Sequence, residues 1–176
     1  HDVEGQRLIH GYDQENPIAA LECRQPELVV KNWMFANSVH VIDYLRIFGR
    51  GDITSVEPII PWQSDVPLFV MTKIHFLSGD IGIYEAIWNG PGPWAVTVTT
   101  QQKRFELRPL EQATVQLYKS RSLGALPSHP WDAQFKPGLR MQAEEAIKAI
   151  RHQPTLLPTL DEALETMKLV GAIYEI

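Results

Sequence analysis

Between Ile53 and Tyr118 the chain changes period, and that change limits what it can fold into. On either side, apolar residues recur at helical spacing; inside the block they alternate. The block reads as successive strand-like runs: "ITSVEPIIPW", "PLFVMTKIHFL", "IGIYEAIW", "WAVTVTT", "KRFELRPL" and "ATVQLYKS". Short breaks such as "SGD", "NGPGP" and "QQ" separate several of them. Such short connections join antiparallel neighbours, because a parallel crossover needs about a dozen residues or more. In the third run Ile81, Ile83, Glu85 and Ile87 fall on one face, and Gly82, Tyr84, Ala86 and Trp88 on the other. The block therefore predicts a mostly antiparallel open sheet of about six strands.

Helical patterns flank it. In "NSVHVIDYLRIFG", Val41, Ile42, Leu45 and Phe48 share a face, Asn37 or Ser38 can cap the start, and Gly49 stands at the C′ position. In "KPGLRMQAEEAIKAIRH" the stripe is Leu139, Ala143, Ala146, Ile147 and Ile150. In "TLDEALETMKLVGAIYEI" a capping box, Thr159-x-x-Glu162, opens a stripe of Leu160, Ala163, Leu164, Met167, Val170 and Tyr174. Helix, strand block, then two helices make an α+β fold with helices packed on one face of the sheet.

The other face is then open. Phe69, Met71 and Leu77 alternate with Leu68, Val70, Ile74 and Phe76, so both faces carry bulky residues. A second apolar face either stays solvated or meets a partner; here a homo-oligomer through the open sheet face is expected. At 176 residues the chain suits a single domain spanning 1–176. The net charge of −5 without a basic cluster argues against nucleic acid. No apolar run reaches the ~18–20 residues of a membrane span, and the single cysteine, Cys23, fits a reducing, cytoplasmic setting. Cys23 has no companion ligand at zinc spacing, and no metal is expected. The chain begins with His1, as expected of a processed product or a piece of a longer protein.

Motifs for phosphate cradles, metalloproteases and serine hydrolases are missing: no GxGxxG, HExxH, GxSxG or CxxC occurs. That leaves His40, in the first turn of the first helical pattern, with Asn37 before it and Asp43 after it. Two roles fit: a general acid/base oriented by Asn37 or Asp43, or a core histidine bonded to a backbone carbonyl. The dipole at a helix start favours the neutral ring. His75 and Lys73 share a strand face with Phe69 and Met71, and Trp33 lies close to His40 in sequence. A small independent enzyme would need His40 and His75 to converge.

"NSVHVIDYLRIFG" followed by "ITSVEPI" resembles the "G-x-H-x-I-D-x-L-R-x-x-x-G" helix and next strand of the Gfo/Idh/MocA oxidoreductases, the glucose–fructose oxidoreductase and inositol dehydrogenase family. "IHFLSGDIGIYEAIW" is similar to the family's "f-x-n-G-x-x-G" hairpin. "KRFELRPL" is similar to its "G-x-x-G-x-L-x-L" strand with the glycines lost. "FKPGLRMQAEEAIKAIRHQPTLLPTLDEALETMKLVGAIYEI" is similar to its closing helices with the "P-T-x-x-D-A" turn. The resemblance runs from about residue 28 to the end, in the family's order. It implies the second domain of such an enzyme, for substrate binding and oligomerisation, with the Rossmann NAD(P)-binding domain absent from this chain. NAD or NADP would be bound mainly by that other domain, and none tightly here. The implied reaction is hydride transfer to or from a sugar, inositol or related alcohol carbon. His40 aligns with the family histidine of proton transfer; Asp43 aligns with the acid of "H-x-I-D". Asn37, Asp43 and Trp33 become expected substrate contacts. Where the family often has an aspartate four residues before the histidine, this chain has Ala36. The alternative function is a non-catalytic binding or assembly module of the same fold.

Overall fold

The computed structural model describes Met34, residues 38–62, 69–87 and 94–175. These residues form an α+β structure: α1 (Val39–Phe48), β1 (Ile53–Ile60), β2 (Phe69–Phe76), β3 (Ile81–Ile87), β4 (Val96–Thr99), β5 (Lys103–Leu107), β6 (Ala113–Leu117), β7 (Leu123–Ala125), a 3₁₀ turn (Pro130–Ala133), α2 (Leu139–Ile150) and α3 (Leu160–Tyr174). All six predicted runs contain strands, and β7 is an addition. Among the described residues they form two antiparallel sheets rather than one, in the orders β1-β2-β3 and β4-β5-β6-β7. The chain divides into two compact units, residues 1–92 with 164–176, and residues 93–163.

The first unit holds the core. On β2, Val70, Thr72, Ile74 and Phe76 are buried, while Phe69, Met71, Lys73 and His75 are half-exposed on the reverse face. Tyr84 of β3, Ile42 of α1 and Leu169, Val170, Ile173 and Tyr174 of α3 complete the apolar cluster. Helices thus cover one face of this sheet, and Ile81, Ile83 and Ile87 of β3 are exposed on the other. Alternation along β3 is that of the expected pattern, because a pleated strand sends successive side chains to opposite faces.

The buried stripe of α3 shares Val170 and Tyr174 with the predicted one and differs in its other members. Thr166, Leu169, Val170, Ile173 and Tyr174 face inward, whereas Leu160, Leu164 and Met167 are exposed. Hydrophobicity admits either rotation of this apolar helix; Thr166 and Tyr174 settle it by hydrogen bonding beneath it. The capping box does form: Thr159 N donates to Glu162 Oε2 at 2.7 Å, and Glu162 N donates to Thr159 Oγ1 at 3.2 Å.

Gly49 ends α1, but in an extended conformation (φ −70°, ψ 141°) rather than the left-handed one expected of a C′ glycine. Its reason is space. A Cβ there would stand 2.2 Å from the Phe76 ring, so only glycine lets the helix end pass over β2.

The second unit has a sheet of largely binary pattern, broken on its apolar face by Lys103 opposite Leu117. Val96, Val98, Phe105, Leu107, Val115 and Leu117 share one face by register, and Thr97, Thr99, Arg104, Glu106, Thr114 and Gln116 share the other. In α2 the predicted apolar stripe is largely open, with Leu139, Ile147 and Ile150 exposed and Glu145 the buried residue. Glu145 holds the following loop: its Oε2 accepts from Leu156 N at 2.7 Å and from Thr155 Oγ1 at 3.1 Å, and its Oε1 from Lys148 Nζ at 2.6 Å. These donors, Lys148 foremost, lower its pKa below the usual glutamate range.

Candidate functional site

Ser38, directly before α1, is π-helical, as is Met34. Ser38 is helical itself (φ −61°, ψ −32°) and makes no side-chain cap to the helix. The cap expected of Ser38 is therefore not formed, and Asn37, the other expected cap, lies outside the described residues.

Beneath the N-terminal end of α1 the side chains are buried. Tyr174 Oη donates to Ser38 Oγ at 3.0 Å and lies 2.8 Å from Tyr84 Oη. Trp62 meets the Tyr174 ring edge-on, with centroids 5.1 Å apart. Burial holds both phenols above their ordinary range, so they act as neutral hydroxyls. Ser38 and Ile42, four residues apart, share the inward face of the helix, and His40, two residues on from Ser38, is exposed. His40 is thus an exposed imidazole on a firmly seated helix, which removes the reading of it as a core histidine. Tyr44, Ile47 and Phe48 extend its side of the helix; Tyr44 and Phe48 stack at 5.8 Å with planes 8° apart. Phe48, expected in the core, is 42% exposed there.

Asp43 has other obligations. Its Oδ1 accepts from Thr166 Oγ1 of α3 at 2.5 Å and from Arg46 Nε at 3.1 Å, and Arg46 Nε also lies 2.9 Å from Thr166 Oγ1. The carboxylate that the sequence placed as a substrate contact is engaged in joining α1 to α3. Asn37 and Trp33 lie outside the described residues.

His75 belongs to the reverse face of the same sheet, next to Glu57: Nε2 and Oε1 are 3.3 Å apart, within ion-pairing reach but off the hydrogen-bond line. His40 rises from the helical layer on the covered face, so the sheet separates the two rings and they do not converge. Among the described residues no group of His, Cys, Asp and Glu is arranged to hold a metal ion, and no helix is long and apolar enough to cross a membrane. The depression along α3, about 610 Å³, is lined by Leu164, Met167, Lys168, Gly171, Ala172 and Glu175 and is open to solvent. With one helix for a wall and no phosphate-binding loop, it does not fit a dinucleotide.

Sequence reasoning missed the Ser38–Tyr84–Tyr174 cluster and the Thr166 partner of Asp43. The bonded pairs lie 90 to 136 residues apart in sequence, and no local pattern marks them. The chain matches no family model, no curated protein and no solved structure.

Proposed function

We propose that this chain is the substrate-binding and oligomerisation part of an NAD(P)-dependent oxidoreductase of the Gfo/Idh/MocA kind, acting on a hydroxyl-bearing carbon of a sugar, inositol or related polyol. The observation that carries the reading is His40: an exposed imidazole on α1, two residues after a buried Ser38 that accepts the Tyr174 hydroxyl within the core. Rigid support behind an exposed titratable ring is what a general acid/base requires. The role of His40 is to accept the proton of the reacting hydroxyl, and to return it in the reverse direction. The described residues do not fit the nicotinamide cofactor, so the reading assigns it to a separate nucleotide-binding domain, and this chain contributes only the proton step and the substrate wall. The open face of β1-β2-β3, with exposed Ile81, Ile83 and Ile87, supports the self-association that belongs to the same reading.

The test is kinetic. In the enzyme that includes this chain together with its nucleotide-binding domain, His40→Ala is expected to lower kcat by ~10²–10⁴ for the preferred polyol, the range for a lost acid/base group. An unchanged kcat overturns the reading.

A second reading is favoured by Asp43. Its carboxylate is engaged by Thr166 and Arg46, and Ala36 stands where the resembling family often has an acid. On that reading the chain is a non-catalytic binding or assembly module; absence of turnover with any polyol, alongside intact self-association, selects it.

A further inference from the structure

We infer that the reciprocal cap of His129 and Asp132 is a pH-sensitive latch of the second unit, closed while the His129 ring is neutral and released when it takes up a proton. Release frees the Trp131 amide and loosens the joint into α2. The inference goes beyond the proposed reaction and uses none of its residues.

The cap closes the 3₁₀ turn Pro130–Ala133. Pro130 has no N–H, so Trp131 N is the first amide of the turn that needs a partner, and no carbonyl of the turn can reach it. His129 Nδ1 accepts from it at 3.2 Å, and Asp132 Oδ2 accepts in return from His129 N at 3.2 Å. Asp132 also reaches onward: its Oδ1 accepts from Gly138 N at 3.0 Å, and Gly138 (φ 81°) opens α2. One carboxylate thus ties the turn to the helix.

Helix starts are ordinarily capped by Ser, Thr, Asp or Asn, whose oxygens remain acceptors throughout the neutral range. An imidazole does not. Its Nδ1 accepts only while it bears a lone pair, and protonation makes it a donor facing another donor, Trp131 N. Histidine is the side chain that ordinarily changes charge between about pH 5 and 8. His129 is exposed, so protons reach it directly. The charged groups around it are Asp132 in the turn and, from α2 packed against the turn, Arg140 with its partner Glu144. The Arg140 guanidinium lies 5.4 Å from the Trp131 ring centroid, and the His129 ring meets the same indole at 4.4 Å. Arg140 opposes a second cation there, whereas Asp132 attracts one. Once the ring is charged, both draw it off the Trp131 amide. Glu145 and Lys148, farther along α2, bind each other, and Glu145 holds the loop at Thr155 and Leu156.

The experiment uses the whole, isotope-labelled chain. It is titrated by NMR between about pH 8 and about pH 5, following the His129 ring nitrogens and the amides of Trp131 and Gly138. At the upper end His129 is expected to carry its proton on Nε2. As the ring titrates, both amide signals are expected to move with its midpoint. Protection of the Trp131 amide, corrected for intrinsic exchange, should fall about fivefold, the factor for one lost hydrogen bond. His129→Asn supplies an acceptor that does not titrate, and should hold both amide signals constant across the range. A proton on Nδ1 at the upper end overturns the inference. So do amides that stay in place while the ring titrates, or that still move in His129→Asn. The tautomer is read on the unaltered chain, so the test stands even if the variant does not fold. No readout depends on turnover, so its failure is distinct from failure of the oxidoreductase reading, which shows in kcat of His40→Ala.

Discussion

Replacing Asp43 by alanine tests whether this acid joins two helices or awaits a ligand. The substitution removes the acceptor of the 2.5 Å bond from Thr166 and the 3.1 Å bond from Arg46. Hydrogen bonds to a charged group are worth roughly 1.5–3 kcal/mol. Two features place this one at the lower end. The Asp43 side chain is 31% exposed, so water screens the charge, and the 2.9 Å bond from Arg46 Nε to the Thr166 hydroxyl does not use the carboxylate. A loss of about 1.5 kcal/mol follows, which lowers Tm by roughly 3–6 °C for a chain of this length. Asp43→Asn retains an acceptor and should lose about half as much. The pairwise part is isolated by a double-mutant cycle with Thr166→Val, read by thermal and urea unfolding followed by circular dichroism. Because the two side chains are in contact, a coupling above about 0.5 kcal/mol is expected. Coupling indistinguishable from zero, with a wild-type Tm for Asp43→Ala, would refute the helix-joining role and return Asp43 to the ligand.

Two further predictions concern the exposed sides of the first unit. Ile83→Glu puts a second carboxylate beside Glu85 on the open face of β3, among the exposed Ile81 and Ile87, and sedimentation velocity should show the concentration-dependent associated form replaced by monomer; a wild-type chain that is monomeric at all concentrations removes this face as an interface. Asp80 accepts two side-chain bonds from Arg50, at 2.8 and 2.7 Å, and this pairing lowers its pKa to about 2. A carboxylate depressed in the folded state stabilises above its ordinary pKa, so the contribution is full above about pH 4 and is lost as pH falls through about 2. NMR titration of the Asp80 carboxyl checks this, with Arg50→Ala expected to raise the midpoint to the ordinary aspartate range; a wild-type midpoint already near 4 contradicts it.

Residue sequence alone carried the helices, the strand runs and the α+β class, because those signals are local, but not the division of the strands into two sheets. Alternation along "IGIYEAIW" reports a strand with one covered face wherever that strand is placed, and Thr159 and Glu162 are close enough to close their capping box unaided. The position of His40 on a helix, and the presence of an antiparallel block between helical segments, were legible for the same reason. Tertiary structure decided what depends on orientation and distant partners. Thr166 and Tyr174 set which side of α3 is buried, Phe76 explains why Gly49 is glycine, and Thr166, 123 residues away, determines what Asp43 does. Ser38 could equally cap a helix or be drawn into a core. The choice was made by two tyrosine hydroxyls that only the folded chain brings to it, since a buried polar group takes whatever partner packing delivers.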